Sequence, residues 1–385
     1  MKRLALIPLL LILLAGMILA SCSRAAPAPA PGQATILNPS TPQGPTTITP
    51  QIPAAPAPAP APAPAKVYKL RYSDWGPSVT GRAKIAQQMA RVLEERTGGR
   101  VKTDLFFAAS LLSSTDTYRG VEAGLADMAV YVLGSFGSKQ HQLNRVIDLP
   151  GIGMPSMKAG TEIYYKLMAK YPEMDKEYGD AFTLTIHKLP AEHMHTTDKF
   201  HLVKSPADMA GVKTYANPMM VDRLASVHAA IVDVGVPQWY SALERNLQQG
   251  MLIHWNALYD FGLMELFKYH TVIGDSGVEM QSIGVVMNRN TFNSMPADIQ
   301  GIVLDFAKDW READLQDKLN VQQAAINQAK QMGHEIYNAT PAEVQQWYDL
   351  FKPMQEQWIK DTEAAGRSNA RAVFNDMLQM IKDYK

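Results

Sequence analysis

Only one cysteine, Cys22, occurs in the 385 residues, so no disulfide can form within the chain. Charge of one sign is not in excess: Lys plus Arg equals Asp plus Glu at 37 each. Without a basic surplus or a basic-aromatic tract, nucleic acid is not an expected partner. No Gly-x-Ser-x-Gly elbow is present, and neither is a Walker or Gly-x-Gly-x-x-Gly phosphate loop. With no catalytic constellation and no cofactor motif, the chain reads as a non-enzyme with no catalytic residue and no cofactor. After the first twenty residues no apolar run is long enough to span a bilayer.

The amino terminus does have such a run. Lys2 and Arg3 precede a continuous apolar segment, Leu4 to Ala20, which leads into Leu19-Ala20-Ser21-Cys22. A basic start, an apolar run and small residues describe an export signal. The -LASC- run resembles a bacterial lipobox, with residues 1–21 as signal peptide and Cys22 as the lipidated mature end. An ordinary signal peptide or an uncleaved anchor is the plainer alternative. Residues 22–65 are rich in Pro, Ala and Thr and end in PAAPAPAPAPAPA. Such a composition supports neither helix nor sheet and makes a semi-extended tether of about 3 Å per residue. The expected placement is extracytoplasmic, lipid-anchored, and held off a membrane surface.

Residues 66–385 are about two average domains long, and a hydrophobic content of 46% supports a large core. Lys69 to Ser73 reads as a strand. A helix carries Ile85, Met89, Val92 and Leu93 on one face, and Gly98-Gly99 stops it. Val101 to Phe107 alternates like a strand. A helix capped by Ser113 or Ser114 carries Tyr118, Val121 and Leu125. Met128 to Val132 fits a buried parallel strand. This order argues for parallel βαβ units.

The pattern recurs after Phe182, with FTLTIHKL and residues 193–197 extended. A helix start follows at Ser205-Pro206-Ala207-Asp208, then a strand in GVKTYANP and a helix through Leu224 and Val227. Next come the strand IVDVG (231–235), a helix with Tyr240, Leu243 and Leu247, and the strand MLIHWNA (251–257). IGVVMN (283–288) is one more strand. From Pro296 the chain turns helical, and no Gly or Pro falls between Gly301 and Gly333. A helix of roughly 30 residues, about 45 Å, is long enough to cross two domains. Two helical segments, from about 341 and about 364, finish the chain.

His193-Met194-His195 places two imidazoles on one strand face. A polar strand edge explains it more simply than a metal site, and no metal is expected. Most of the 21 methionines and 6 tryptophans are core fillers. Trp75, Trp239 and Trp255 stand apart, at or near strand–helix junctions.

Several stretches together resemble the solute-binding proteins of TRAP transporters, DctP type. They are RTGGRVKTDLFFAASL, YRGVEAGLADMAVY, VIDLPGI, KSPADMAGVKTYANP and YSALERNLQQGMLIHWNALYD, continuing through FKYHTVIGDSG and FNSMPADIQGIV. The individual motifs are loose, and their order carries the specificity. The resemblance implies an α/β fold, a two-lobed periplasmic-binding-protein-like clamshell with a long lobe-spanning helix and C-terminal helices. It places lobe I at 66–190, lobe II at 191–280, a shared strand and long helix at 281–338, and C-terminal helices at 339–385. The implied partners are a small organic solute and the membrane subunits of a transporter driven by an ion gradient. A lipid-anchored sensing receptor of the same fold is the alternative.

Two departures from the family pattern stand out. Its carboxylate-forking arginine aligns with Tyr215, and its DGqe run aligns with Ile253-His254-Trp255-Asn256, which lacks the acid. A phenol offers one neutral donor where a guanidinium offers two charged ones. Either the ligand is not a simple carboxylate held in the usual way, or the counter-charge comes from His193, His195 or Lys213. An aromatic-rich cleft closed by Tyr215, Trp255 and Trp75 is the favoured form. The candidate substrate contacts are Trp75, Tyr131, His193, His195, Tyr215, Asn217, Trp255 and Asn256. A core role for Tyr215, and helix-capping roles for Asn217 and Asn256, are the structural alternatives.

Overall fold

A computed structural model describes residues 66–136 and 141–384. The signal segment 1–21, the tether 22–65 and Cys22 lie outside the described residues. Two sheets organise the chain. The first has the order β2 (Val101–Phe106), β1 (Tyr68–Ser73), β3 (Met128–Val132), β10 (Ser282–Asn288), β4 (Ala181–Lys188). β1 is parallel to β2 and β3, whereas β10 runs antiparallel to both of its neighbours. All residues of β3 and β10 are buried, which is why MAVYV and SIGVVMN read as unbroken runs without alternation.

The second sheet has the order β11 (Glu335–Asn338), β9 (Tyr269–Val272), β5 (Glu192–Thr196), β8 (Gly250–His254), β6 (Lys213–Tyr215), β7 (Ala230–Ile231). β5 lies inside this sheet, antiparallel to β8 and β9. Its five residues are all buried, so the HMH pattern does not give an exposed polar edge.

The first helix, Gly81–Arg96, is capped by Thr80, whose hydroxyl accepts from Ala83 N at 3.3 Å. It buries Ala83, Ala86, Met89 and Leu93. Several expectations need correction, among them the strand MLIHWNA, which ends at His254 where the helix Trp255–Asp260 begins, and the helix through Leu224, which stops at Ala225 before Val227. The helix after Ser113 runs over Thr117–Glu122 with Asp116 at its cap position, and Leu125 is exposed beyond its end. Ser113 hydrogen-bonds the Asp116 carboxylate instead of capping the helix. The IVDVG strand is only Ala230–Ile231, because Gly235-Val236-Pro237 turns the chain into a short 3₁₀ segment. The helix expected to reach Leu247 ends at Glu244, with Asn246 in the left-handed region.

Two helices run across both sheets. Ala297–Gln331 has 35 residues, about 52 Å, somewhat longer than the sequence pattern implied. Its amino-terminal half (Ile299, Val303, Phe306, Trp310) joins the core of Leu70, Tyr72 and Met128. Its carboxy-terminal Ala325 and Ala329 join that of Trp255 and Phe267. Pro341–Ala364 does the same, with Trp347 and Phe351 in one cluster and Trp358 and Ile359 in another. Among the described residues no helix is long and apolar enough to cross a membrane.

Pro341–Ala364 opens with a capping box: Thr340 Oγ1 accepts from Glu343 N at 3.3 Å, and the Glu343 carboxylate accepts from Thr340 N at 2.7 Å. Thr340→Ala is expected to cost about 1 kcal/mol. The check is a lower urea midpoint with an unchanged m value.

Candidate functional site

Strand ends from the two sheets meet around one cavity of about 80 Å³. Each ordered water needs roughly 10–15 Å³, so the space holds a few waters or part of a small molecule. Trp75 follows β1, Val132 ends β3, Leu189 follows β4 and Ile283 lies near the start of β10. Opposite them, Glu192 opens β5, Tyr215 ends β6, and Ile253 and His254 end β8. Arg82 reaches in from the first turn of the first helix and Lys318 from the long helix. Trp239, Asp260 and Phe261 complete the wall of the second half. A roomier groove of about 490 Å³ lies between Arg145, Met219, Arg223 and Trp358, but no strand end opens onto it.

Both cations on the cavity wall are already paired. Arg82 forks onto the fully buried Asp74, Nε to Oδ2 at 2.9 Å and Nη2 to Oδ1 at 2.7 Å, with its guanidinium 4.6 Å from the Trp75 ring centre. Lys318 donates to Asp314 at 3.2 Å and to Asp317 at 2.9 Å. Burial alone would lower the Lys318 pKa, but the two carboxylates outweigh it and hold the ammonium above its ordinary value.

The polar groups beside them are held neutral. His254 Nδ1 accepts from Ala257 N at 3.2 Å and caps the helix Trp255–Asp260, which leaves Nε2 as the N–H. Burial, with Lys318 and Arg82 nearby, lowers its pKa to about 3. Glu192 is raised to about 8 by burial, against hydrogen bonds from Gln281 and Glu279 that pull it down. Glu279 is raised still more clearly, first by burial and then by Glu192. Asn217 Nδ2 donates to Glu279 at 2.6 Å, and Gln281 Nε2 donates to Glu192 at 2.5 Å. Tyr215 is raised by burial and by the charges of Glu192, Glu279 and Asp233, and its ring meets Trp239 edge-on at 5.0 Å.

Of the residues singled out from sequence, Trp75 and Tyr215 line this cavity. Tyr131, His193, His195, Asn217, Trp255 and Asn256 do not. Tyr131 is in the core of the first half, its hydroxyl 2.7 Å from His141 Nδ1. Trp255 is buried against His195 and His270, with ring centres 4.8 and 4.6 Å away. Asn256 donates to Lys318 O at 2.9 Å. Asn217 caps the segment Pro218–Met220 and holds Glu279.

The histidines cannot be the counter-charge either. His193 Nδ1 accepts from Ile273 N at 3.1 Å, and burial lowers its pKa to about 4. His195 Nε2 donates to Ile253 O at 3.1 Å, so Nδ1 accepts from His270 Nδ1 at 2.8 Å. His270 Nε2 in turn accepts from His334 Nδ1 at 3.0 Å. Burial keeps His195 uncharged. Lys213 is exposed, with its ammonium 3.5 Å from Asn246 O.

Sequence reasoning missed Glu192, Arg82, Lys318 and Gln281 as wall residues and considered Trp239 only as a junction tryptophan. The one local signal was the acid at 192 immediately before the HMH run. Among the described residues no group of three or more His, Cys, Asp or Glu could hold a metal ion.

Strand ends of two sheets closing on one buried, aromatic-walled cavity define a receptor of the two-lobed clamp class. Residues 75–361 match the family model described as bacterial extracellular solute-binding protein, family 7 (DctP), and the chain belongs to that family. An uncharacterized protein of Sinorhizobium fredii is 22% identical over 225 residues, 57% of this chain; the matched part is 40% of that protein's length. A TRAP solute-binding protein from a marine metagenome, specific for aromatic acid ligands and holding 3-hydroxybenzoate, is similar in fold. It has a TM-score of 0.73 and 19% identity, over 83% of this chain and 100% of that one. A TRAP periplasmic solute-binding protein of Bordetella bronchiseptica with bound (R)- and (S)-mandelate gives 0.71 and 20%, over 82% and 99%.

Proposed function

We propose that the chain is the extracytoplasmic solute-binding component of a TRAP-type secondary transporter, which captures a small organic solute and delivers it to the membrane subunits. The observation that carries this reading is the cavity walled by strand ends of both sheets. A solute that touches both walls binds the closed arrangement better than the open one and shifts the population toward it by that difference in affinity. The reading includes a lipid on Cys22 and a tether over residues 22–65 that keep the receptor near its membrane partner.

Trp75, Tyr215, Trp239 and Phe261 form an aromatic wall suited to a solute with a flat or apolar body. The two fold neighbours above hold 3-hydroxybenzoate and mandelate, which supports an aromatic body for the solute here. Short dicarboxylates fit less well. Arg82 and Lys318 already serve Asp74, Asp314 and Asp317, and a second carboxylate would lose its hydration without gaining a free cation.

A thermal-shift panel of aromatic solutes and succinate tests the reading; stabilisation by succinate alone would refute the aromatic cleft. With the best-binding aromatic compound as probe, Tyr215→Phe is expected to weaken binding about 2- to 12-fold, the size of one neutral hydrogen bond. Stability should stay within about 0.5 kcal/mol. A loss of stability with unchanged binding would make Tyr215 a core residue.

A further inference from the structure

Among the described residues, the carboxyl pair at the cavity wall has no cation of its own. Glu192 and Glu279 are 1% and 3% exposed, and they lie side by side because their backbones pair, Glu192 N to Glu279 O at 2.9 Å and Val278 N to Glu192 O at 3.0 Å. The chain supplies each carboxyl with one neutral amide donor, Gln281 to Glu192 and Asn217 to Glu279. Beyond a proton shared between the two, Oε2 of each finds no hydrogen-bond partner among the described residues.

Every nearby cation is spent elsewhere. The Lys188 ammonium uses its three donors on Ile147 O at 2.9 Å, Asp148 Oδ1 at 2.6 Å and Ser282 Oγ at 3.1 Å. Arg82 and Lys318, across the cavity, are held by Asp74 and by Asp314 and Asp317. The other charged or titratable groups facing the pair are Asp148, towards both carboxyls, and Tyr215. Asp233 adds to the negative field at Tyr215. On the Tyr215 side of the wall, the buried Trp239 also leaves its indole Nε1 without a partner, so an acceptor is missing there as well.

Two like carboxyls this close hold a proton between them and keep a negative charge when only one proton is present. With carboxylates around it and the aromatic residues Tyr215 and Trp239 on the same wall, the place favours a positive charge, which gains from the acid.

We propose that Glu192, backed by Glu279 and flanked by Tyr215, is a subsite for a protonated amine, so that the captured solute carries a cationic nitrogen on an aromatic or apolar body. An ammonium has three N–H donors and no acceptor, which complements a wall carrying the Glu192 carboxyl and the Tyr215 phenol. An oxygen elsewhere on the solute would take the Trp239 N–H. Held neutral, the pair carries two protons; amine binding drives one into solvent and leaves the other shared between the carboxyls. The inference rests on the receptor reading and narrows its substrate class.

Benzylamine, benzyl alcohol and benzoate, matched in size, test it on the domain starting at Lys66. Benzylamine is expected to give the largest thermal shift. Calorimetry at pH 7 in buffers of different ionisation enthalpy should show about one proton released per benzylamine bound. Glu192→Gln is expected to weaken benzylamine binding ~10- to 100-fold, as for a lost hydrogen bond to charge, with benzyl alcohol little affected. Glu279→Gln leaves Glu192 as a lone buried carboxyl and is expected to keep benzylamine binding, which covers the case of a Glu192 variant that folds poorly. Binding of benzoate or benzyl alcohol in preference to benzylamine would overturn the amine subsite while leaving the receptor intact. No stabilisation by any of the three would overturn it together with the aromatic cleft.

Discussion

Acidifying the protein from about pH 6.5 to 4.5 is expected to remove several kcal/mol of stability. His141, His187, His193, His195 and His270 are all buried. Burial is the first cause of every shift, taking His141 and His270 to about 3, His187 and His193 to about 4, and His195 well below its ordinary value. Between those values and about 6.5 the unfolded chain binds protons at these rings and the folded chain does not. Stability is therefore present above pH 6.5 and lost as pH falls, at up to about 1.4 kcal/mol per imidazole per unit.

Glu192 and Glu279 act in the opposite sense. Their folded pKa values are raised, to about 8 for Glu192, so their contribution is present below about 4.5 and lost as pH rises. These five imidazoles, with His254 held at about 3 in the same sense, outweigh the two carboxyls below 6.5, and above it the carboxyls act alone. The stability maximum is expected near pH 6.5, with a steep acid side and a shallow decline toward pH 8. Urea midpoints at pH 4.5, 5.5, 6.5 and 8 measure it. A flat profile from 4.5 to 6.5 would show that the imidazoles titrate normally.

Lys188→Met is expected to destabilise the fold by about 3–5 kcal/mol, the range for breaking one side of a buried ion pair. Lys188 is 1% exposed, and its three bonds tie β4 to the segment Asn144–Asp148 and to β10. Gly160 lies against its stem, where an added Cβ would come within 2.6 Å of Lys188 Cγ. Once the ammonium is gone, Asp148 keeps a buried charge supported by Ser282 alone. The double variant Lys188→Met/Asp148→Asn should recover a large part of the loss, because an uncharged pair needs no counter-ion. Denaturant unfolding of the two variants decides the point; a single-variant loss below about 1 kcal/mol would mean that water reaches Asp148.

Elements made by near neighbours were legible from residue order. The strand–helix–strand start, the buried MAVYV run and the long helix without Gly or Pro are local patterns, and they lie where the periodicity put them. The antiparallel return of β10 and the addition of β11 to the second sheet carry no local mark. The HMH run misled because β9 and β8 take both edges of β5 and all five of its residues are buried. For the site, strand-end reasoning reached Trp75 and Tyr215. It could not reach Arg82, Glu192, Gln281 and Lys318, which converge on the cavity from remote parts of the chain. Nor could it show that Arg82 and Lys318 are neutralised by Asp74, Asp314 and Asp317, since partnership is a property of folded geometry.

β10 gives the molecule a particular kind of indivisibility. Ser282 to Asn288 comes from late in the chain yet is inserted between β3 and β4, two strands made long before it. A nascent polypeptide released as far as residue 280 would hold an open gap in its first sheet, with Val130 and Thr185 facing empty backbone positions. No scissor cut between the halves yields two self-sufficient pieces, and fragment complementation should succeed only when the second piece brings this strand with it.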